Sequence, residues 1–195
     1  MRLNAEQLRK LEEEKARGVI RHVKRNPIYF ILENIYDTYN IGGLFRLADA
    51  LAVEKMYLVG ETETPPNSRI KKASIGTYKV VPWEYSKSAK DSIEKIVKLL
   101  NSQIVKKEKN NNLTVKQFNH LEVIAVEQHQ KSVPYHQADY SFPVALIFGN
   151  ESYGVKPETL EMVDKIVEIP MWGVNKSLNV IVAAAIVSYH IINKI

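Results

Sequence analysis

The chain begins polar and then turns apolar in short bursts. Residues 28–32, IYFIL, are the first compact apolar run, bounded by Pro27 and by a polar stretch from Asn34 to Asn40. A short run without alternation is the pattern of a strand buried on both faces. It recurs at 56–59, which ends at Gly60, and at 123–126, 144–148 and 166–169. Segments with helical spacing lie between these runs. Leu44, Phe45, Ala48 and Leu51 follow the turn-like Asn40-Ile41-Gly42-Gly43; residues 88–100 carry Ile93, Ile96, Val97 and Leu100 as a stripe; and 177–192 form the last helix. Short apolar strands alternating with helices predict an α/β fold, a largely parallel sheet flanked by helices.

The segment 61–76, rich in Pro, Asn and Ser, reads as loop, and 77–81 alternates before Pro82. Asn4 with Gln7 forms a capping box that opens a charged helix over 4–17, with Gly18 as its stop. Residues 101–119, including Asn110, Asn111 and Asn112, read as an inserted or loosely packed excursion. The chain therefore divides into a charged helical extension, 1–25, and one domain, 26–195, without internal repeats.

At 195 residues such a domain can bury roughly 70% of the surface its unfolded chain exposes. There is no cysteine, which excludes disulfides, thiolate zinc sites and cysteine nucleophiles; no metal is called for. The first twenty residues lack the apolar region of a secretory signal, so a cytoplasmic location is expected. The longest purely apolar run, 180–187, falls far short of the ~20 residues of a membrane span.

Lys and Arg number 27 against 22 Asp and Glu, a formal charge of +5. The distribution matters more than the sum. Arg17, Arg21, Lys24 and Arg25 follow one another with no acidic residue between, and Arg69, Lys71 and Lys72 form a second cluster. Such patches either meet a polyanion or are simply solvated.

Three polar clusters fall at strand ends or helix starts, where open parallel sheets place ligands. In the first, Asn40-x-Gly42-x-x-x-Arg46, the guanidinium emerges among Leu44, Phe45, Leu47 and Ala48. It either serves a ligand or pairs with Asp49 or Glu54. The second runs from Phe148 through Gly149, Asn150, Glu151, Ser152 and Tyr153 to Gly154 after a buried strand; it is a plain turn or a site of close ligand approach. The third is Ile169-Pro-Met-Trp-Gly-Val-Asn-Lys-Ser-Leu-Asn-Val180, in which Ser177 could cap the last helix or serve a site. No G-x-G-x-x-G follows a strand, so a Rossmann nucleotide site is unsupported.

In order and spacing the three clusters resemble the signature motifs of the SpoU, or TrmH-like, family of RNA ribose methyltransferases, part of the SPOUT class. Asn40, Gly42, Arg46, Ala48 and Ala50 match the first motif; Gly149, Glu151 and Gly154 the second; Ile169 to Met171, Gly173, Ser177 to Val180 and Ala183 the third. The resemblance runs from Ile28 to the C-terminus. The chain departs from the family pattern at Ala52, where a glycine is frequent, and at Asp37-Thr38, where Asp-Pro is common.

The resemblance implies a sheet whose C-terminal part is threaded into a deep trefoil knot, an exception to the rule against knotted chains. It implies S-adenosylmethionine as methyl donor, held by Val126, Gly149, Ile169, Met171 and Leu178. It implies transfer of that methyl to a ribose 2′-hydroxyl of RNA, with Arg46, Asn40, Glu151, Ser177 and Asn179 as catalytic residues. A homodimer is expected, with RNA touching Arg17, Arg21, Lys24, Arg25, Arg69, Lys71 and Lys72. The target leans to tRNA over ribosomal RNA, since no separate RNA-binding domain is apparent; the N-terminal helix selects substrate or braces the dimer. A catalytically idle RNA-binding or ribosome-assembly protein is the other class of reading, and methylation of a base nitrogen a third.

Overall fold

The computed structural model describes residues 3–11, 23–109 and 120–195. In chain order the elements are α1 (Ala5–Lys10), β1 (Asn26–Glu33), α2 (Thr38–Ala50), β2 (Val53–Val59), α3 (Ser68–Ser74), a 3-10 turn (Thr77–Lys79), β3 (Trp83–Ser86) and α4 (Ala89–Lys109). There follow β4 (Glu122–Val126), β5 (Val133–Pro134), β6 (Val144–Phe148), α5 (Pro157–Leu160), β7 (Lys165–Glu168) and α6 (Val180–Ile192). The strands form one sheet in the order β3-β2-β1-β6-β4-β7-β5, and every pairing is parallel.

The alternation of β1 explains why the apolar runs are continuous. Ile28, Phe30 and Leu32 join one core with residues of α2, α3 and α6, while Tyr29 and Ile31 join a second with Ala89 and Ile96 of α4. Both faces are covered, so neither set of alternate residues can be polar. The α/β expectation holds, with β6 matching the anticipated run residue for residue.

Four local expectations are corrected. First, Asp37 caps α2, its carboxylate accepting from the Tyr39 N–H at 2.8 Å, so Asn40 and the two glycines lie inside the helix rather than in a turn before it. Second, the supposed loop contains α3, capped by Asn67, whose Oδ1 accepts from the Arg69 N–H at 2.9 Å. Third, the alternation at 77–81 is a 3-10 turn, and the strand comes after Pro82. Fourth, α6 starts at Val180 behind Asn179, not at Ser177. Val97, expected in the α4 stripe, is 39% exposed. Residues 101–109 extend α4, whereas the rest of the supposed excursion lies outside the described residues.

Asn4 and Gln7 form the expected capping box around α1. Leu8 packs on Val80, and the Lys79 ammonium donates to the Leu11 carbonyl at 2.7 Å, which docks α1 on the 3-10 turn. Gly76 (φ 93°) allows this approach, because a Cβ there would stand 2.6 Å from the Leu8 carbonyl oxygen. The remainder of the helix expected over 4–17 lies outside the described residues.

Arg25 is placed where an RNA ligand is not needed to explain it. Its guanidinium is half-buried and donates to the carbonyls of Val53 at 2.9 Å and Val80 at 2.7 Å, joining the chain before β1 to the start of β2 and the turn before β3. Burial raises the carboxyls of Asp49 and Glu54, and the charge of Arg25 opposes that rise. Arg25→Ala should cost about 2 kcal/mol of stability from the two charge-assisted bonds. With Arg25 gone, both carboxyls would rise further, and a raised carboxyl contributes stability at low pH that disappears as pH climbs through its folded-state value. The loss should therefore be larger at pH 7 than at pH 4, read from denaturant melts at the two values.

Candidate active site

The site lies at the C-terminal edge of the sheet and begins with two glycines that let helices approach. A Cβ on Gly42 would stand 2.5 Å from the Cβ of Ala73 in α3, and one on Gly43 would stand 2.3 Å from Cδ1 of Ile181 in α6. With α2 pressed against both neighbours, Asn40 in its first turn is 6% exposed and meets two partners. Its Oδ1 accepts from Nδ2 of Asn179 at 2.9 Å, and its Nδ2 donates to Oε1 of Glu151 at 2.7 Å. Glu151 as carboxylate can only accept, which fixes the sense of the whole relay. At the other end, Oδ1 of Asn179 accepts from the Ile181 N–H at 2.9 Å and so caps α6. The three polar clusters, 111 and 139 residues apart, are thus joined by one line of hydrogen bonds.

The loop after β6 is braced from several sides. Asn150 and Gly154 exchange backbone hydrogen bonds at 3.0 and 2.8 Å. Asn150 Oδ1 accepts from the N–H groups of Ser152 (2.8 Å) and Tyr153 (3.0 Å), while its Nδ2 donates to the Asn34 carbonyl at 2.9 Å. Glu127, just past β4, accepts from the Val155 N–H at 2.9 Å. Glu33, 2% exposed at the end of β1, accepts from the Lys156 N–H at 2.9 Å and the Thr159 hydroxyl at 2.7 Å. Glu151 is therefore presented from a loop whose backbone donors are largely satisfied, the condition for holding a side chain in place.

Beside the relay opens a cavity of about 360 Å³, walled by the ends of β4, β6 and β7, the second loop and the segment 169–183. All five residues assigned to the cofactor, Val126, Gly149, Ile169, Met171 and Leu178, line it, together with Glu151 and Ser177. Apolar walls with a few polar groups and accessible main chain are the usual make-up of a small-ligand site. Ser177 is exposed and its N–H donates to Oδ1 of Asn175 at 3.4 Å; Gln128 Nε2 ties the same loop down by donating to the Lys176 carbonyl at 2.6 Å.

Arg46 stands exposed on α2 with buried Leu44, Phe45, Leu47 and Ala48 around it, and among the described residues it has no hydrogen-bond or ion-pair partner. The pairing with Asp49 or Glu54 is absent; Arg25 faces those carboxylates instead. Arg69, Lys71 and Lys72 project from α3 into solvent, with Ile70 buried beneath, and Lys24 is exposed. Arg17 and Arg21 lie outside the described residues. Among the described residues, no group of three His, Asp or Glu side chains is placed to hold a metal ion, and no helix is long and apolar enough to cross a membrane.

A model of the SpoU rRNA methylase family matches residues 27–189. The chain belongs to that family. It is similar to the tRNA (guanosine(18)-2′-O)-methyltransferase of Aquifex aeolicus, 27% identical over 182 residues that cover 90% of this chain and 73% of the relative. The enzyme of the same description from Thermus thermophilus is 30% identical over 167 residues, covering 85% of this chain and 75% of its own. Among solved structures, the SpoU methyltransferase AviRb from Streptomyces viridochromogenes, in complex with AdoMet, superposes with a TM-score of 0.70 at 20% identity. That match covers 89% of this chain, which spans 62% of AviRb.

Within this SpoU domain, sequence reading missed the residues that brace the second loop. Glu33, Asn34 and Glu127 act on partners as far as 126 residues away. The available signal was a carboxylate or amide directly at the end of each apolar strand run, since a buried polar group there must find a partner.

Proposed function

We propose that this chain transfers a methyl group from S-adenosylmethionine to a ribose 2′-hydroxyl of RNA, with tRNA as the favoured substrate. The observation that carries this reading is the Asn179–Asn40–Glu151 relay, which unites the three family motifs beside a cavity of suitable size. The Aquifex and Thermus relatives act, by their names, on guanosine 18 of tRNA.

The cavity fits the donor on its own features. Gly149, packed so closely on the Gly154–Val155 main chain that a Cβ would strike it, brings backbone to the cavity wall, and Val126, Ile169 and Leu178 offer apolar walls for an adenine ring. S-adenosylmethionine supplies a methyl on a sulfonium, a leaving group that needs no further activation. The protein's task is then alignment, which can contribute ~7–11 kcal/mol toward the barrier. Arg46 holds an RNA phosphate and polarises the attacking hydroxyl; a guanidinium keeps its own protons and is a poor base, so the hydroxyl proton leaves to water as the C–O bond forms and the C–S bond breaks. Asn40 and Glu151 keep that hydroxyl in register, and Asn179 locks Asn40 while capping α6. Ser177 and Met171 line the cavity.

We assign residues 26–195 to the catalytic domain and 1–25 to an appended arm. A trefoil knot in the C-terminal part is supported by the likeness to SpoU structures and by the insertion of β6 between β1 and β4. A homodimer is supported by the outer stripe of α6, where Val182 and Tyr189 are 46% and 49% exposed with Ile186 between them. Lys24, Arg69, Lys71 and Lys72 supply phosphate contacts, so RNA binding weakens as salt rises. Such a reaction belongs in the cytoplasm. The idle-binder reading is disfavoured because every polar residue of the relay is present and engaged.

Incubating the protein with labelled S-adenosylmethionine and separated tRNA and ribosomal RNA pools, then mapping the ribose-methylated nucleotide, tests the assignment. Label in the tRNA pool is expected. No label in any pool would overturn the reaction, and label confined to ribosomal RNA would overturn the substrate.

A further inference from the structure

Aromatic rings on the central strands are buried, Tyr29, Tyr57, Phe30 and Phe148 being 2% exposed or less, whereas Tyr85 on edge strand β3 is 47% exposed. Beside the relay, too, rings stand in water. Tyr36, between β1 and α2, is 48% exposed, and Tyr153, in the loop after β6, is 85% exposed while forming part of the cavity wall. Ring surface left in water is unfavourable, and these two rings are not loosely attached. The Tyr36 hydroxyl donates to Oε2 of Glu61 at 2.8 Å. The Tyr153 N–H donates to Asn150, whose amide reaches the Asn34 carbonyl two residues before Tyr36. The rings thus belong to one braced corner. The Tyr36 phenol is held above its ordinary pKa, first by the hydrogen bond to Glu61.

We propose that Tyr153, with Tyr36 beside it, is a stacking platform for the base of the nucleotide whose ribose enters next to Glu151. The inference rests on the methyltransferase reading and adds the part of the substrate it grips. Glu61 accepts from the Tyr36 hydroxyl and Glu151 lies two residues before Tyr153, so an anionic group is unwelcome there and a flat, neutral one fits. Besides Arg46 on α2 and Lys24 before β1, the cations that would hold the phosphates, Arg69, Lys71 and Lys72, stand on α3, which packs against α2. A nucleotide separates its charges in the same way, with phosphates on the backbone and an uncharged ring displaced to one side. Stacking accepts any base but requires that it be unpaired and free of its neighbours. The platform therefore selects looped or single-stranded RNA over duplex, and leaves base identity to other contacts.

The test uses the full chain with Tyr153→Ala, Tyr153→Leu, Tyr153→Phe and Tyr153→Trp. Alanine should raise the KM for RNA about tenfold, the loss of one base–aromatic stack. Leucine, similar in size and apolar, should be as poor as alanine, and phenylalanine should restore the KM. The tryptophan variant reads the platform without turnover: its fluorescence should be quenched by single-stranded RNA and not by duplex. Equal behaviour of leucine and phenylalanine, or no quenching, overturns the platform even if methyl transfer proceeds. So does a Tyr153→Ala protein that changes its oligomeric state in light scattering at an unchanged KM, because the ring would then cover a second copy. Quenching without methyl transfer to any RNA would keep the platform and overturn the reaction.

Discussion

Arg46→Ala should lower the single-turnover rate of RNA methylation by about 10²–10³-fold, the scale seen when one preorganised electrostatic contact to a reacting group is removed, with no accompanying loss of fold. The reasoning has two halves. Arg46 is exposed on α2 and has no partner among the described residues, so its removal breaks no contact of the folded chain. A surface substitution of this kind stays within about 0.5 kcal/mol. Yet an arginine kept without a partner, almost two turns after Asn40 and between buried Phe45 and Leu47, is available to an incoming phosphate. Arg46→Lys should recover little, since an ammonium keeps the charge but lacks the planar fork that grips an oxyanion with two bonds. Rapid-quench methylation and thermal melts of the three proteins check this. A mutant that methylates near the wild-type rate would remove Arg46 from the mechanism, and one that melts far lower would show that it supports the fold.

The parts of this molecule legible from sequence are those whose signal is local. β6, buried on both faces, shows as five apolar residues in a row, and the Asn4 box is a matter of four neighbouring residues. α3 was hidden because its seven residues bury only Ile70 and Ser74, too few to make a period, behind a Pro- and Asn-rich approach. Gly42 and Gly43 read as a turn because a lone chain gives no hint of Ala73 and Ile181 arriving from elsewhere. The position of Ser177 misled for a related reason. Ser177 and Asn179 are both good caps, and what decides for Asn179 is that its amide reaches Asn40 while its oxygen holds the Ile181 N–H. The proposed site residues come from the spacing of three motifs, whereas the braces behind them, Glu33 and Glu127 above all, carry no motif of their own. Arg25 shows the limit of reading charge by count: a basic residue in a basic run spends its guanidinium on two backbone carbonyls.

Gly149→Ala should weaken donor binding by more than about tenfold and cost ~1–3 kcal/mol of stability, the usual penalty for forcing one extra carbon into a packed place. The new Cβ would stand 2.3 Å from both the carbonyl carbon of Gly154 and the nitrogen of Val155. These are backbone atoms and cannot swing aside as the tip of a side chain would. They are held by the paired bonds between Asn150 and Gly154 and by the Val155 N–H on Glu127. Relief requires opening that pairing, which shifts Asn150 off the Asn34 carbonyl and carries Glu151 away from Asn40. The cavity wall and the relay then fail together, so methyl transfer should fall further than donor affinity does. Gly173 provides the contrast, because a Cβ there meets nothing within 4 Å; Gly173→Ala should leave the melting temperature unchanged. Calorimetry with S-adenosylmethionine and thermal melts on both variants decide the matter: if Gly149→Ala binds the donor as tightly as the parent, the second loop is not the wall against which the donor is held.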